Sequence, residues 1–232
     1  MPELPEVQTT TTSLSNVLVG LKFSDVWTDI AKKDQPIKHF KKTIKDLKFF
    51  EEFKSKILNK KITKVVRRGK NILIYLSTGD AILIHLKMTG HLLYGIYDKV
   101  IENKKTIWKP LSPAGLFDPY NRHIHVMFNL NNKKFLAFCD SRKFGKITLI
   151  NKIDLNSNIH TGYLGCEPLD KDFTFSIFKK QIYKKLNGKI KSVLLDQTLI
   201  AGIGNIYSDE ALWLTTIHPE EKVSNITDKN LK

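Results

Sequence analysis

The sequence predicts an α+β protein: a helix at the amino terminus, a β-sandwich filling residues 1–150, a linker over 151–165, and a helical domain over 166–232. Three observations carry this. Short apolar segments broken by turn signals recur through the first 150 residues, the spacing of a sandwich. Beyond Asn151 the apolar residues shift to four-residue steps, the helical period. With 232 residues, 41% of them hydrophobic, the chain can bury one large or two small cores.

The first helix is read over Leu4–Val19, where Leu4, Val7, Leu14, Val17 and Leu18 fall near helical spacing and Gly20 offers a C-cap. The branched run Thr9–Thr12 works against it, whereas Glu6 suits the positive end of the helix dipole. Strands are expected at Lys22–Trp27, Ile62–Val66, Asn71–Leu76, Ala81–Leu86, Leu92–Tyr97, Arg122–Leu130, Lys134–Cys139 and Lys146–Ile150. Turns such as Ser77-Thr78-Gly79-Asp80 and Asn129-Leu130-Asn131-Asn132 separate several of them. Asn156-Ser157-Asn158 reads as loop. Helices follow at Phe173–Leu186, with Phe178, Ile182 and Leu186 four apart, then at Lys189–Leu195 and Asn205–Leu214. Thr227-Asp228 resembles an N-cap and first turn whose helix lacks the length to pack, so the helical domain is expected to be truncated.

Charge is the strongest global signal. Lys and Arg number 38 against 23 Asp and Glu, a net charge of +15. The stretch Ala31–Lys70 alone holds 15 basic and 4 acidic residues. A polyanion is the natural partner, because clustered cations release its counterions; the bland alternative is a lysine-rich composition that only solvates the surface. No apolar run approaches membrane-spanning length, and the start lacks the basic and apolar regions of a signal peptide, so a cytoplasmic protein is expected. Cys139 and Cys166 belong to no CxxC pair, which supports neither a disulfide framework nor a cysteine zinc site. His123 and His125 alternate as strand residues sharing a face do, but no third ligand stands at a suitable spacing, and no metal site is predicted.

Two stretches can carry chemistry. If Met1 is removed, Pro2 presents a secondary amine; α-amines titrate near neutrality, and an unprotonated one can attack an electrophilic carbon to give an iminium. Glu3 stands beside it as a proton donor. On spacing alone, an ordinary exposed start with Pro5 opening a helix accounts for the same residues. Far downstream, Gly202 and Gly204 precede a helix start, where free backbone amides can hold a phosphate and Asn205 adds a side-chain donor.

Pro2-Glu3-Leu4-Pro5-Glu6-Val7, with the run from Leu195-Asp196-Gln197 through Ala211-Leu212-Trp213, resembles the formamidopyrimidine-DNA glycosylase family, which includes endonuclease VIII. Arg67-Arg68-Gly69-Lys70, His85-Leu86-Lys87-Met88-Thr89-Gly90 and Asp140-Ser141-Arg142-Lys143-Phe144-Gly145 lie between them in family order, and Leu4 favours the formamidopyrimidine branch. The resemblance implies a helix-two-turn-helix domain after the sandwich. It also implies a repair enzyme that removes 8-oxoguanine and formamidopyrimidines from double-stranded DNA and cleaves the abasic site by β/δ-elimination.

Under that resemblance Pro2 is the nucleophile, Glu3 the proton donor and shuttle, Lys70 the residue that serves elimination and holds a neighbouring phosphate, and Glu6 a second acid ordering the site. Reaching a base in a duplex requires flipping it out; Met88 and Phe144 are then wedges filling the gap, and Arg142 donates to the base left behind. His85, His123, Lys143, Lys189 and Asn205 contact phosphates or sugars. Monomeric action at the nucleoid is implied too. Family members carry a four-cysteine zinc finger further on; Cys139 and Cys166 cannot supply it, so no cofactor is expected in the chain as given. A non-catalytic binder of distorted nucleic acid and an inactive fragment are the alternatives. A mere binder has no need of Pro2, Glu3 and Lys70 together.

Overall fold

The computed structural model describes residues 1–33, 42–152 and 163–231. Part of the basic Ala31–Lys70 stretch, the loop at Asn156-Ser157-Asn158 and most of the expected linker lie outside the described residues. The chain forms two compact units that interleave in sequence. One comprises Met1–Pro2, Thr9–Val66 and Asn71–Lys152; the other comprises Glu3–Gln8, Arg67–Lys70 and Ile153–Lys232.

Among the described residues the first unit holds nine strands, β1 (Phe23–Thr28), β2 (Ile62–Arg68), β3 (Asn71–Leu76), β4 (Ala81–His85), β5 (His91–Glu102), β6 (Lys105–Ser112), β7 (Ile124–Leu130), β8 (Phe135–Cys139) and β9 (Lys146–Ile150). They build a five-stranded sheet in the order β1-β7-β8-β5-β6 and a four-stranded sheet in the order β2-β3-β4-β9. Pairing is antiparallel wherever register is defined, as in Ile72↔Ile84 and Leu83↔Thr148. β3 and β4 are buried along nearly their whole length, because Ile72, Leu73, Ile74, Ile82, Leu83 and Ile84 leave neither face polar.

One helix and strand β6 were not expected from the sequence, and β5 is longer than expected. Helix α2 (Leu47–Ile57, with α1 at Leu4–Leu18) arises inside the basic stretch. Phe50, Phe53 and Ile57 repeat at helical spacing and are buried, and the Asp46 side chain caps the first turn by accepting from Phe49 N at 2.9 Å. Strand β5 runs five residues past Tyr97 and turns into β6. Asn103 and Lys104, both at positive φ (50° and 61°), make that tight turn. The expected strand at Arg122 starts at Ile124 instead, because Pro119–Arg122 form a 3-10 turn.

The second unit contains α3 (Phe175–Ile182), α4 (Ile190–Leu194), α5 (Asn205–Leu214) and α6 (Asp228–Leu231). Thr174 caps α3 from its side chain, and Tyr183–Lys185 continue it as a 3-10 turn. Ile182, Ile190, Val193, Leu194, Leu199, Ile200, Leu212, Val223 and Ile226 form its core. No helix among the described residues is long and apolar enough to cross a membrane.

Candidate active site

In the second unit, the residues at the start of α1 meet the start of α5. Glu3 is 2% exposed, and its carboxylate accepts from the backbone N–H groups of Gly204 (2.8 Å), Ile206 (2.9 Å) and Tyr207 (3.3 Å). The amides read from sequence as a phosphate cradle therefore hold the chain's own carboxylate, which satisfies the positive end of α5. Gly204 is required by that approach: a Cβ there would fall on the Glu3 carboxyl group. The backbone is fastened as well, Leu4 N–H donating to the carbonyl of Gly202 at 3.1 Å. Three donors thus hold the Glu3 carboxylate in one position.

Glu6 completes the cluster. Its carboxylate accepts from Glu3 N–H at 2.9 Å and from the Tyr207 hydroxyl at 2.9 Å. Desolvation pushes its pKa up, but these hydrogen bonds outweigh it and hold the carboxyl below its ordinary value; the same bond raises the Tyr207 phenol. Lys70 is 7% exposed, and burial drives its pKa down against the opposing field of Glu3. An ammonium in that setting gives up its proton more readily than a surface lysine, as proton transfer requires.

Lys70 follows a turn held by residues that sequence reasoning missed. Glu167, on the segment leading into α3, accepts from Arg67, from Arg68 at 2.9 Å and from Gly69 N–H at 2.5 Å. Arg67 also donates to Gln8 at 2.8 Å, and Arg68 to the Leu164 carbonyl at 2.8 Å. Gly69 sits at φ +56°, which a side chain disfavours, and a Cβ there would press on Leu164 at 3.2 Å. The Arg-Arg-Gly triplet is legible as a motif; its partner, about 100 residues on, is not.

In the first unit, Met88, Arg142 and Phe144 lie on the loops β4–β5 and β8–β9. Met88 is 45% and Phe144 48% exposed, against the ordinary fate of large apolar side chains, and the Arg142 guanidinium lies 4.8 Å from the Phe144 ring centre. Asp140, fully buried, ties the two loops together. Its carboxylate accepts from the Thr89 hydroxyl, from Arg142 N–H at 3.2 Å and from Gly145 N–H at 2.7 Å. Lys45 braces the same loop, its buried ammonium donating to the Lys143 carbonyl at 2.7 Å. Burial lowers the Lys45 pKa, with Asp140 opposing and Lys87 adding to the shift.

The remaining sequence candidates fall as follows. His85 ends β4, its Nδ1 accepting from Lys87 N–H at 3.0 Å. Lys143 and Asn205 are exposed, and His123 is half-buried at the end of a 3-10 turn. Lys189 is exposed and pairs with Glu220 at 2.5 Å. His123 and His125 do not share a strand face, since β7 starts after His123 and its register with β8 shifts at His125. His125 instead turns inward, its Nδ1 facing Asp29 at 2.9 Å. Among the described residues no group of three or more His, Cys, Asp or Glu could hold a metal ion. The two cysteines do not fit a zinc finger: Cys139 is buried, with its thiol pushed up to about 12 by desolvation, and the sulfur of Cys166 accepts from Gln181.

The second unit thus presents a carboxylate anchored on a helix start and a desolvated lysine in its field. The first 147 residues match the formamidopyrimidine-DNA glycosylase N-terminal domain, and residues 164–232 match the H2TH domain of the same glycosylases. The chain belongs to the formamidopyrimidine-DNA glycosylase family. It is 40% identical to the formamidopyrimidine-DNA glycosylase of Pelotomaculum thermopropionicum over 100% of this chain and 72% of that one. The Ligilactobacillus salivarius enzyme of that name is 33% identical over the same shares. Among solved structures, MutM in complex with DNA containing carbocyclic 8-oxo-G superposes with a TM-score of 0.76 at 29% identity, covering 99% of this chain and 75% of that one. The Lactococcus lactis Fpg bound to abasic-site DNA gives 0.76 at 28%, over 99% and 72%.

Proposed function

We propose that this chain acts in base-excision repair, removing oxidised purines such as 8-oxoguanine and formamidopyrimidines from double-stranded DNA and then cleaving the abasic site by β/δ-elimination. The observation that carries the proposal is Glu3, directly after Pro2 in the chain and fixed by three amides at the start of α5, with Lys70 desolvated in its field. Relatives solved with 8-oxo-G, N7-benzyl-Fapy-dG and abasic-site DNA support the substrate class.

Once Met1 is removed, the Pro2 nitrogen forms a bond to the sugar carbon that carries the damaged base as the glycosidic bond breaks; the base departs with the bonding electrons and takes up a proton, and the proline nitrogen gives up its own. Glu3 passes the proton that the sugar ring oxygen needs as the ring opens to an iminium. Loss of a proton from the neighbouring sugar carbon then expels the 3′ phosphate, a step served by Lys70. Met88 and Phe144 occupy the gap left by the flipped nucleotide, and Arg142 serves the base opposite. His85, His123, Lys143, Lys189 and Asn205 supply contacts to phosphates or sugars. The chemistry proposed draws on no cofactor. Monomeric action at the cytoplasmic nucleoid belongs to the same proposal.

Borohydride trapping tests it. The chain with Met1 removed is expected to give a covalent adduct with a duplex carrying 8-oxoguanine, and Pro2→Gly is expected to lose it. Trapping that survives Pro2→Gly and disappears on Lys70→Ala would show that the nucleophile is misassigned.

A further inference from the structure

Beside Met88 and Arg142 lies an aromatic side chain that the proposed reaction leaves unused. Tyr120 sits on the 3-10 turn Pro119–Arg122, between β6 and β7, and is 55% exposed. An exposed tyrosine on a loop is ordinarily free to rotate. This one is fixed at three points. Its backbone N–H donates to Asp118 at 2.8 Å, its ring stacks on His91 with centres 4.9 Å apart and planes 18° from parallel, and its hydroxyl reaches the Thr89 carbonyl at 3.4 Å. His91 is held in turn, its ring nitrogens facing the Thr89 carbonyl at 3.2 Å and the Asn121 side-chain oxygen at 3.0 Å.

Thr89 connects this pair to the candidate wedge. It follows Met88 in the chain, its hydroxyl donates to Asp140, and it accepts from Arg142 N–H at 3.2 Å. One residue thus touches both the loop of Arg142 and Phe144 and the turn of Tyr120. A ring backed on one face by His91, held before any partner arrives and still 55% exposed, is preorganised for stacking. Arg122 and His123, next along the chain, add basic character beside it.

We propose that Tyr120, backed by His91, is a stacking platform for an unstacked nucleobase flanking the gap. The inference rests on the excision reading above and adds a contact to it. Opening a duplex at one nucleotide exposes the faces of the neighbouring bases, and an aromatic ring can restore part of the stacking they lose. Such a contact is indifferent to base identity and to charge.

The test compares Tyr120→Ala and Tyr120→Phe with the parent chain, each bound to a duplex carrying a tetrahydrofuran abasic analogue over a range of salt. Tyr120→Ala is expected to bind about tenfold more weakly, and Tyr120→Phe within about twofold of the parent. The slope of log affinity against log salt stays the same in all three, because no phosphate contact is lost. Thermal midpoints within a degree or so of one another show that the fold is unaffected. A 2-aminopurine placed beside the gap, in one strand and then in the other, identifies the strand: its fluorescence rises in Tyr120→Ala where stacking has been lost.

Equal affinity for Tyr120→Ala and parent overturns the inference, as does a changed salt slope. The parent's borohydride trapping on 8-oxoguanine duplex separates the two proposals. A parent that traps while Tyr120→Ala binds normally sinks the platform alone. A parent that binds the duplex but traps nothing sinks the excision reading alone, and a parent that neither binds nor traps sinks both.

Discussion

Lys70 shows how a single residue ties stability to chemistry. Burial lowers its pKa and Glu3 only partly restores it, so the folded chain holds this proton less tightly than the unfolded chain does. The unfolded state then binds more protons between the depressed value and the ordinary lysine value, and the lysine's contribution to stability rises with pH across that window. Below the window the ammonium is charged in both states, and the full desolvation penalty is present. Lys70→Met removes the penalty. The variant is expected to unfold at higher denaturant than the parent at pH 7, with the advantage shrinking as pH climbs toward the ordinary lysine range, while the elimination step is lost. Urea titrations at several pH values would show it, and a Lys70→Met variant less stable than the parent at pH 7 would contradict the desolvation argument.

Among the elements, α5 carries the most consequence, because its first turn holds the candidate catalytic acid. Gly204→Ala would place a methyl group on the Glu3 carboxyl and force Glu3 away from the three amides. Misplacement of a reacting group by about 1 Å can cost about a hundredfold in rate, so adduct formation by Gly204→Ala is expected to slow by about that factor. Normal trapping kinetics in this variant would mean that the Glu3 anchorage is structural only. The bounds of α5, β3 and β9 were legible to the residue, since Asn205–Leu214, Asn71–Leu76 and Lys146–Ile150 are flanked by glycine or by turn residues. Helix α2 and strand β6 were not. In α2 the lysines between Phe50, Phe53 and Ile57 drew attention to charge and away from the buried face. In the β5–β6 hairpin, Asp98, Lys99, Glu102, Lys104 and Lys105 break the apolar alternation, and the tight turn uses Asn-Lys where glycine would have signalled it.

At the scale of the whole molecule, the sequence exposed the candidate site residues and concealed what holds them. Pro2, Glu3, Lys70, Met88, Arg142 and Phe144 stand in short motifs that can be read locally. Glu167 and Lys45 act on partners about 100 residues away, Arg67 and Lys143, and no local pattern announces such pairs. Charge, by contrast, is legible without any fold, and a net charge of +15 has a measurable consequence. If cations neutralise phosphates on binding duplex DNA, affinity falls linearly with salt on logarithmic axes, with about 0.9 of slope per phosphate contact. Lys143 and Asn205 are both exposed and both proposed to touch the backbone, yet only the lysine brings a charge. Lys143→Ala is therefore expected to weaken binding and to flatten the salt dependence by about 0.9 of slope. Asn205→Ala should weaken binding with the slope unchanged, because a neutral donor displaces no counterion. Titrations against one abasic duplex at four or five salt concentrations distinguish the two. An unchanged slope in Lys143→Ala would remove that lysine from the phosphate contacts and leave the positive field to other residues.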